Sequence, residues 1–252
     1  MLKKVLLDTP LPLFYTGPDL EADSIPCIIY LALSAKETLL IAPFNQPITF
    51  LHSYPVRTFS VDLPFHGEDL PSTEGMKRWA EAFMQEENIL ADFLNKLEAS
   101  LHILFNHITP SKICIAGLSR GGFIASHIAA RFEKIDILIA FAPLTQLKDG
   151  LEFEPIKDSP LLHSLDLKTL TPILSQKTIR VYIGNRDVRV STDSCYTWIR
   201  SLVEEAFSSH NIKSPPIELI LKPSIGYLGH GTAKETFEEG ALWILKKLGL
   251  FL

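Results

Sequence analysis

The stretch Gly117-Leu118-Ser119-Arg120-Gly121-Gly122 decides how this chain is read. The apolar run Ile113-Cys114-Ile115-Ala116 leads into it, and Phe123 to Phe132 leads out with Ile124, Ile128 and Phe132 four residues apart. That is G-x-S-x-G between a strand and an amphipathic helix. A turn this tight needs small residues beside the serine and pushes its hydroxyl out at the carboxyl edge of a sheet. The helix start behind it offers free N–H groups and a partial positive charge. The bland alternative is a glycine-rich turn with an incidental serine, so partners for Ser119 decide the matter.

A serine hydroxyl is a poor nucleophile at pH 7. It needs an imidazole to take its proton and a carboxylate to hold that imidazole in one tautomer. Of the eight histidines, His102, His107 and His127 fall in or at the end of helical runs, His163 in a weakly patterned segment, and His210 before the last strand. His230 follows the last strand, in Gly226-Tyr227-Leu228-Gly229-His230-Gly231-Thr232, where glycines let the loop bend toward Ser119. Asp187 follows another strand end, in Gly184-Asn185-Arg186-Asp187-Val188-Arg189-Val190. Asp136 opens its strand and so belongs to the opposite edge; Asp193 sits at a helix start, the usual place of a capping aspartate. The chain order is serine, acid, histidine.

Around these positions the chain alternates. Strands are expected at Val5–Leu7, 26–33, 38–43, 57–63, 112–116, 135–141, 179–184 and 217–221. Helices are expected at 73–107, 123–132, 192–207 and 233–248. Near-continuous apolar strands suit a mostly parallel sheet covered on both faces, with about eight strands in one α/β domain spanning 1–252. From Leu144 to Lys177 the pattern weakens and Pro155, Pro160 and Pro172 punctuate it, as in a cap inserted above a site. Leu161 and Leu162 are its expected substrate-facing residues.

The 252 residues carry 46% hydrophobic and 21% charged side chains, ordinary for a globular protein, and the net charge of −5 with no basic stripe argues against a nucleic-acid binder. No apolar run is long enough for a stable membrane insertion. Cys27, Cys114 and Cys195 lack disulfide or metal spacing, which favours a reducing, cytoplasmic setting.

The quoted segments resemble the α/β-hydrolases, and within them the esterases and peptidases of the prolyl-oligopeptidase type. Asp62-Leu63-Pro64-Phe65-His66-Gly67-Glu68 resembles the D-x-P-x-H-G-x segment that follows the fourth strand in that branch. The resemblance implies a serine hydrolase acting on a small ester or short peptide, with no metal and no organic cofactor. It implies an oxyanion hole made by the Arg120 N–H and by a donor after the third strand. Where the branch carries His-Gly, this chain reads Pro43-Phe44-Asn45-Gln46, which leaves Phe44 or Asn45 as donors because proline has no N–H. His66 is expected beside the site as a substrate-binding residue, and Arg120 is a candidate attractor for a carboxylate-bearing substrate. An ester hydrolase, an amide or acyl-peptide hydrolase, and a non-catalytic binding protein on the same fold all remain open.

Overall fold

Alternating apolar residues feed two opposite layers along every central strand. In the computed structural model, which describes residues 1–22, 24–67 and 70–250, Cys27, Ile29 and Leu31 face one core while Ile28 and Tyr30 face the other. The same split places Ile113 and Ile115 opposite Cys114 and Ala116. Period-two side chains with both sets buried are what a sheet covered on both faces requires.

The elements run β1 (Lys3–Lys4), β2 (Phe14–Thr16), β3 (Cys27–Leu31), α1 (Ala35–Leu40), α2 (Gln46–Leu51), β4 (Arg57–Ser60), α3 (Gly75–Met84), α4 (Ile89–His107), β5 (Ile113–Leu118) and α5 (Arg120–Arg131). They continue with β6 (Ile137–Phe141), α6 (Pro160–Ser164), α7 (Thr171–Leu174), β7 (Thr178–Gly184), α8 (Thr192–Ser208), β8 (Ile217–Lys222) and α9 (Lys234–Leu248). The eight strands lie in the order β1-β2-β4-β3-β5-β6-β7-β8. β1 and β2 pair antiparallel with their neighbours; from β4 through β8 every pairing is parallel. Helices α2 and α9 cover one face, and α3, α4, α5 and α8 cover the other. All three cysteines are free and buried. Among the described residues, no helix is long and apolar enough to cross a membrane.

Three local expectations need correction. The run 38–43 is not a strand: α1 occupies it through Leu40. Ser34 caps that helix, its Oγ accepting from the Glu37 N–H at 3.2 Å while the Glu37 carboxylate accepts from the Ser34 N–H at 3.3 Å. This reciprocal box outweighs the β-forming residues that follow it. The helix expected over 73–107 is two helices, broken across 85–88, with Asn88 capping the second by accepting from the Ala91 N–H. At the amino end, the strand is Lys3–Lys4 rather than Val5–Leu7; its partner Phe14–Thr16, three residues beside Gly17-Pro18, has no pattern long enough to announce it.

The segment 144–177 is built of short turns of helix: 3-10 turns at Leu147–Asp149, Leu151–Ile156 and Leu167–Leu170, with α6 and α7 between and after them. It packs along α3, α5 and α8. Phe153 is fully buried, with its ring 6.2 Å from Phe83 of α3.

Candidate active site

Ser119 stands between β5 and α5 with φ 55° and ψ −119°. A side chain costs roughly 1–3 kcal/mol in such a conformation, so the surroundings must enforce it. Enforcement begins with close approach. A Cβ on Gly117 would lie 2.3 Å from the Gly121 carbonyl oxygen. The Ser119 N–H donates to the Phe141 carbonyl at 2.9 Å, and its carbonyl accepts from Gly122, Phe123 and Leu144. Because Ser119 precedes the first turn of α5, the Arg120 N–H has no partner inside the helix.

The structure brings Ser119, His230 and Asp187 together. Ser119 Oγ lies 2.8 Å from His230 Nε2, and His230 Nδ1 lies 2.7 Å from Asp187 Oδ2. Asp187 is 2% exposed, and its other oxygen accepts from the Arg189 and Val190 N–H groups at 3.0 and 3.2 Å. These two amides fix the carboxylate so that Oδ2 faces the imidazole. A carboxylate accepts from Nδ1–H, which leaves the Nε2 lone pair toward the serine hydroxyl. Gly226 and Gly229, both at positive φ, turn the histidine loop inward; a Cβ on Gly229 would lie 2.3 Å from the Arg186 carbonyl oxygen. Asp193, the alternative carboxylate, sits in the first turn of α8, the helix that Ser191 caps.

The serine opens on a cavity of about 230 Å³ lined by Ala32, Leu33, Pro43, Phe44, Met76, Leu118, Leu144, Val190 and Phe237, with Arg120 and Arg189 at its polar side. Leu161 and Leu162 are not on its wall: Leu162 is 1% exposed within the main core, and Leu161 packs against that core.

Of the two donors expected after the third strand, Asn45 has its N–H engaged and Phe44 does not. With α1 running from Ala35 to Leu40, the residues that follow the third strand are Ala32 and Leu33. The Asn45 N–H is committed to the Ile41 carbonyl at 3.1 Å, and the Leu33 N–H to Thr38 Oγ1 at 3.0 Å. Phe44 lines the cavity, its carbonyl accepts from the Tyr30 hydroxyl at 2.8 Å, and its N–H has no acceptor among the described residues. The Ala32 N–H has no acceptor among the described residues, and a Cβ on Gly121 would lie 2.8 Å from that nitrogen. Ala32 is therefore beside the elbow. The sequence reading did not consider Ala32, although the Ser34-x-x-Glu37 signature marks the end of the preceding strand.

His66 is buried and lies behind Arg120. Its Nε2 is 2.8 Å from Arg120 Nη1, and its Nδ1 is 2.8 Å from the Pro64 carbonyl oxygen. A guanidinium only donates, so Nε2 must be the bare acceptor and Nδ1 the N–H donor. Burial first, and the Arg120 charge second, push the His66 pKa down to about 4. A Cβ on Gly75 would fall 2.1 Å from the His66 ring, so the bare glycine makes room for it. Glu68, the last residue of the segment that carries His66, lies outside the described residues. Among the described residues, no group of three or more His, Cys, Asp or Glu side chains is placed to hold a metal ion.

No protein-family model matches this chain. No curated protein matches it in sequence. Solved structures do match in shape. TT1662 from Thermus thermophilus superposes with a TM-score of 0.71 at 16% identity, covering 98% of both chains. The Pyrococcus furiosus esterase Pf2001 gives 0.67 at 17%, covering 98% of this chain and 92% of that one. A putative dipeptidyl aminopeptidase IV from Bacteroides ovatus gives 0.65 at 13%, covering 100% of this chain and 36% of its own length. With its strand order, the elbow between β5 and α5, and these likenesses, the chain has the α/β-hydrolase fold.

Proposed function

We propose that this chain is a serine hydrolase that cleaves a small carboxylic ester through an acyl-enzyme on Ser119. The observation that carries the reading is the unbroken line from Ser119 Oγ through His230 to Asp187, at 2.8 and 2.7 Å, ending on a serine held at positive φ. In the first half-reaction, Ser119 Oγ attacks the ester carbonyl as His230 Nε2 takes its proton. Asp187 stabilises the imidazolium, and the tetrahedral oxyanion is met by the N–H groups of Arg120 and Ala32. The imidazolium then protonates the departing alkoxide. Water repeats the sequence on the acyl-enzyme and frees the acid. Each oxyanion donor is worth about 3 kcal/mol of transition-state stabilisation. A binding protein has no use for the whole line. The segment 144–177 acts as a cap through Leu144, which lines the cavity, and through Glu152, whose carboxylate holds Arg189 at 2.6 and 2.8 Å. Three buried thiols suit a reducing, cytoplasmic setting.

A fluorophosphonate probe tests the reading by intact mass. Wild type should gain one adduct and hydrolyse p-nitrophenyl acetate; Ser119→Ala should fold, take no adduct and lose turnover. Equal activity in the variant would sink the assignment. Faster cleavage of p-nitroacetanilide than of the ester would move the substrate class to amides.

A further inference from the structure

Arg57, Arg189 and Arg120 differ in the groups that meet their charge. Arg57, 1% exposed, donates to the carbonyls of Pro18, Asp19, Leu20 and Ala22. Arg189 donates from Nη2 to both oxygens of Glu152. Arg120 is different. Its hydrogen bonds to His66 Nε2 and the Ser72 carbonyl, at 2.8 and 3.3 Å, both leave from Nη1. Nε and Nη2 have no acceptor among the described residues, and no carboxylate there forms an ion pair with it.

The nearby acids are otherwise engaged. Glu152 is taken by Arg189, and Glu37 by the Ser34 hydroxyl and N–H. Burial, with Arg189 adding to it, pushes the Arg120 pKa down to about 10, so the charge is costly where it stands. The fold nevertheless spends Gly75, the neutral His66 and the Pro64 carbonyl on holding this guanidinium at one nitrogen. Its open Nε and Nη2 edge is the planar fork that fits a carboxylate with two parallel hydrogen bonds. Arg120 shares the cavity wall with Ser119 and Met76.

We propose that the substrate is an ester that also carries a free carboxylate, which the open edge of Arg120 binds while Ser119 attacks the ester. The proposal rests on the serine-hydrolase reading above and names its substrate class. His66 is a positioning residue that sets the plane of the guanidinium.

Matched pairs of esters test it. Monomethyl adipate against methyl hexanoate places the charge on the acyl side; 4-acetoxybutanoate against butyl acetate places it on the alcohol side. In at least one pair, wild-type kcat/KM should favour the anion by about 10- to 100-fold, the range for a charged hydrogen-bonded pair. In Arg120→Met that ratio should fall to about 1, whatever the absolute rate, while Arg120→Lys keeps part of it. No preference in either pair on the wild-type enzyme overturns the proposal without needing any variant, as does a preference that survives Arg120→Met. If wild type takes the fluorophosphonate and hydrolyses the neutral esters as fast as the anionic ones, the hydrolase reading stands and the carboxylate site falls. Absence of both adduct and hydrolysis of all four esters overturns the two together.

Discussion

Gly121 Cα is pressed against the Leu31 carbonyl: a Cβ added there would lie 2.0 Å from that oxygen and 2.4 Å from its carbon. The contact joins the first turn of α5 to the end of β3, so it positions the Arg120 and Ala32 amides relative to each other. Backbone cannot yield as a flexible side chain can. Gly121→Ala should therefore cost at least the 1–3 kcal/mol of ordinary overpacking and displace the elbow. Urea denaturation and the rate of fluorophosphonate labelling are the measurements. A variant with wild-type midpoint and labelling rate would show that the contact is not a constraint.

Asp187→Asn should leave the fold in place and lower turnover by about 10⁴-fold, because an amide can present N–H where His230 Nδ1 needs an acceptor. The side-chain oxygen can still accept from Arg189 and Val190, so the loop is kept. Asp193→Asn, in the first turn of α8, should change turnover little. Kinetics on p-nitrophenyl acetate decide between the two; the reverse order of damage would mean that the carboxylate is misassigned.

How these residues meet was partly legible in the chain. Strand ends and glycines put Ser119, Asp187 and His230 on one sheet edge, because loops after parallel strands share that edge. The helix over 35–40 was hidden by Thr38-Leu39-Leu40-Ile41, a short apolar run that periodicity cannot assign to strand or helix and that obscured the Ser34–Glu37 box. Reading that run as a strand left Ala32 out of the oxyanion candidates, which fell on Phe44 and Asn45. The His66–Arg120 bond spans 54 positions. No periodicity encodes such a contact, since it depends on the approach of α3 through Gly75. The inward turn of Leu162 depends likewise on how α6 lies on the domain, which apolar composition alone does not specify.

Stability should fall as pH drops from 6.5 toward 4. His66 and His127 both have pKa values pushed down to about 4, chiefly by burial, from an ordinary 6.5. The unfolded chain therefore binds protons that the folded chain refuses, and the stability present above pH 6.5 is lost progressively until both folded values are reached. Each histidine contributes roughly 3 kcal/mol across that window. His127 keeps its Nε2 on the Leu165 carbonyl at 3.0 Å, which ties α5 to the segment after α6. Urea midpoints at pH 7.5, 6 and 5 measure the effect. A flat profile over that range would contradict the neutral, buried state of both rings.

Ester preference by chain length should be controlled from the cavity wall rather than from α6. Leu162 is 1% exposed in the main core, and neither it nor Leu161 borders the cavity beside Ser119. Leu162→Ala should cost about 2–5 kcal/mol of stability, the usual range for an emptied core position, and leave the ranking from acetate to octanoate unchanged. Met76, Leu144 and Phe44 border the space itself. Met76→Ala and Leu144→Ala should enlarge it and shift the kcat/KM optimum toward longer acyl chains. Their stability cost is separable, because it acts equally on every substrate, whereas cavity shape changes one ester relative to another. If Leu162→Ala reorders the esters and Met76→Ala does not, the acyl group lies against α6 and not in the space beside Ser119.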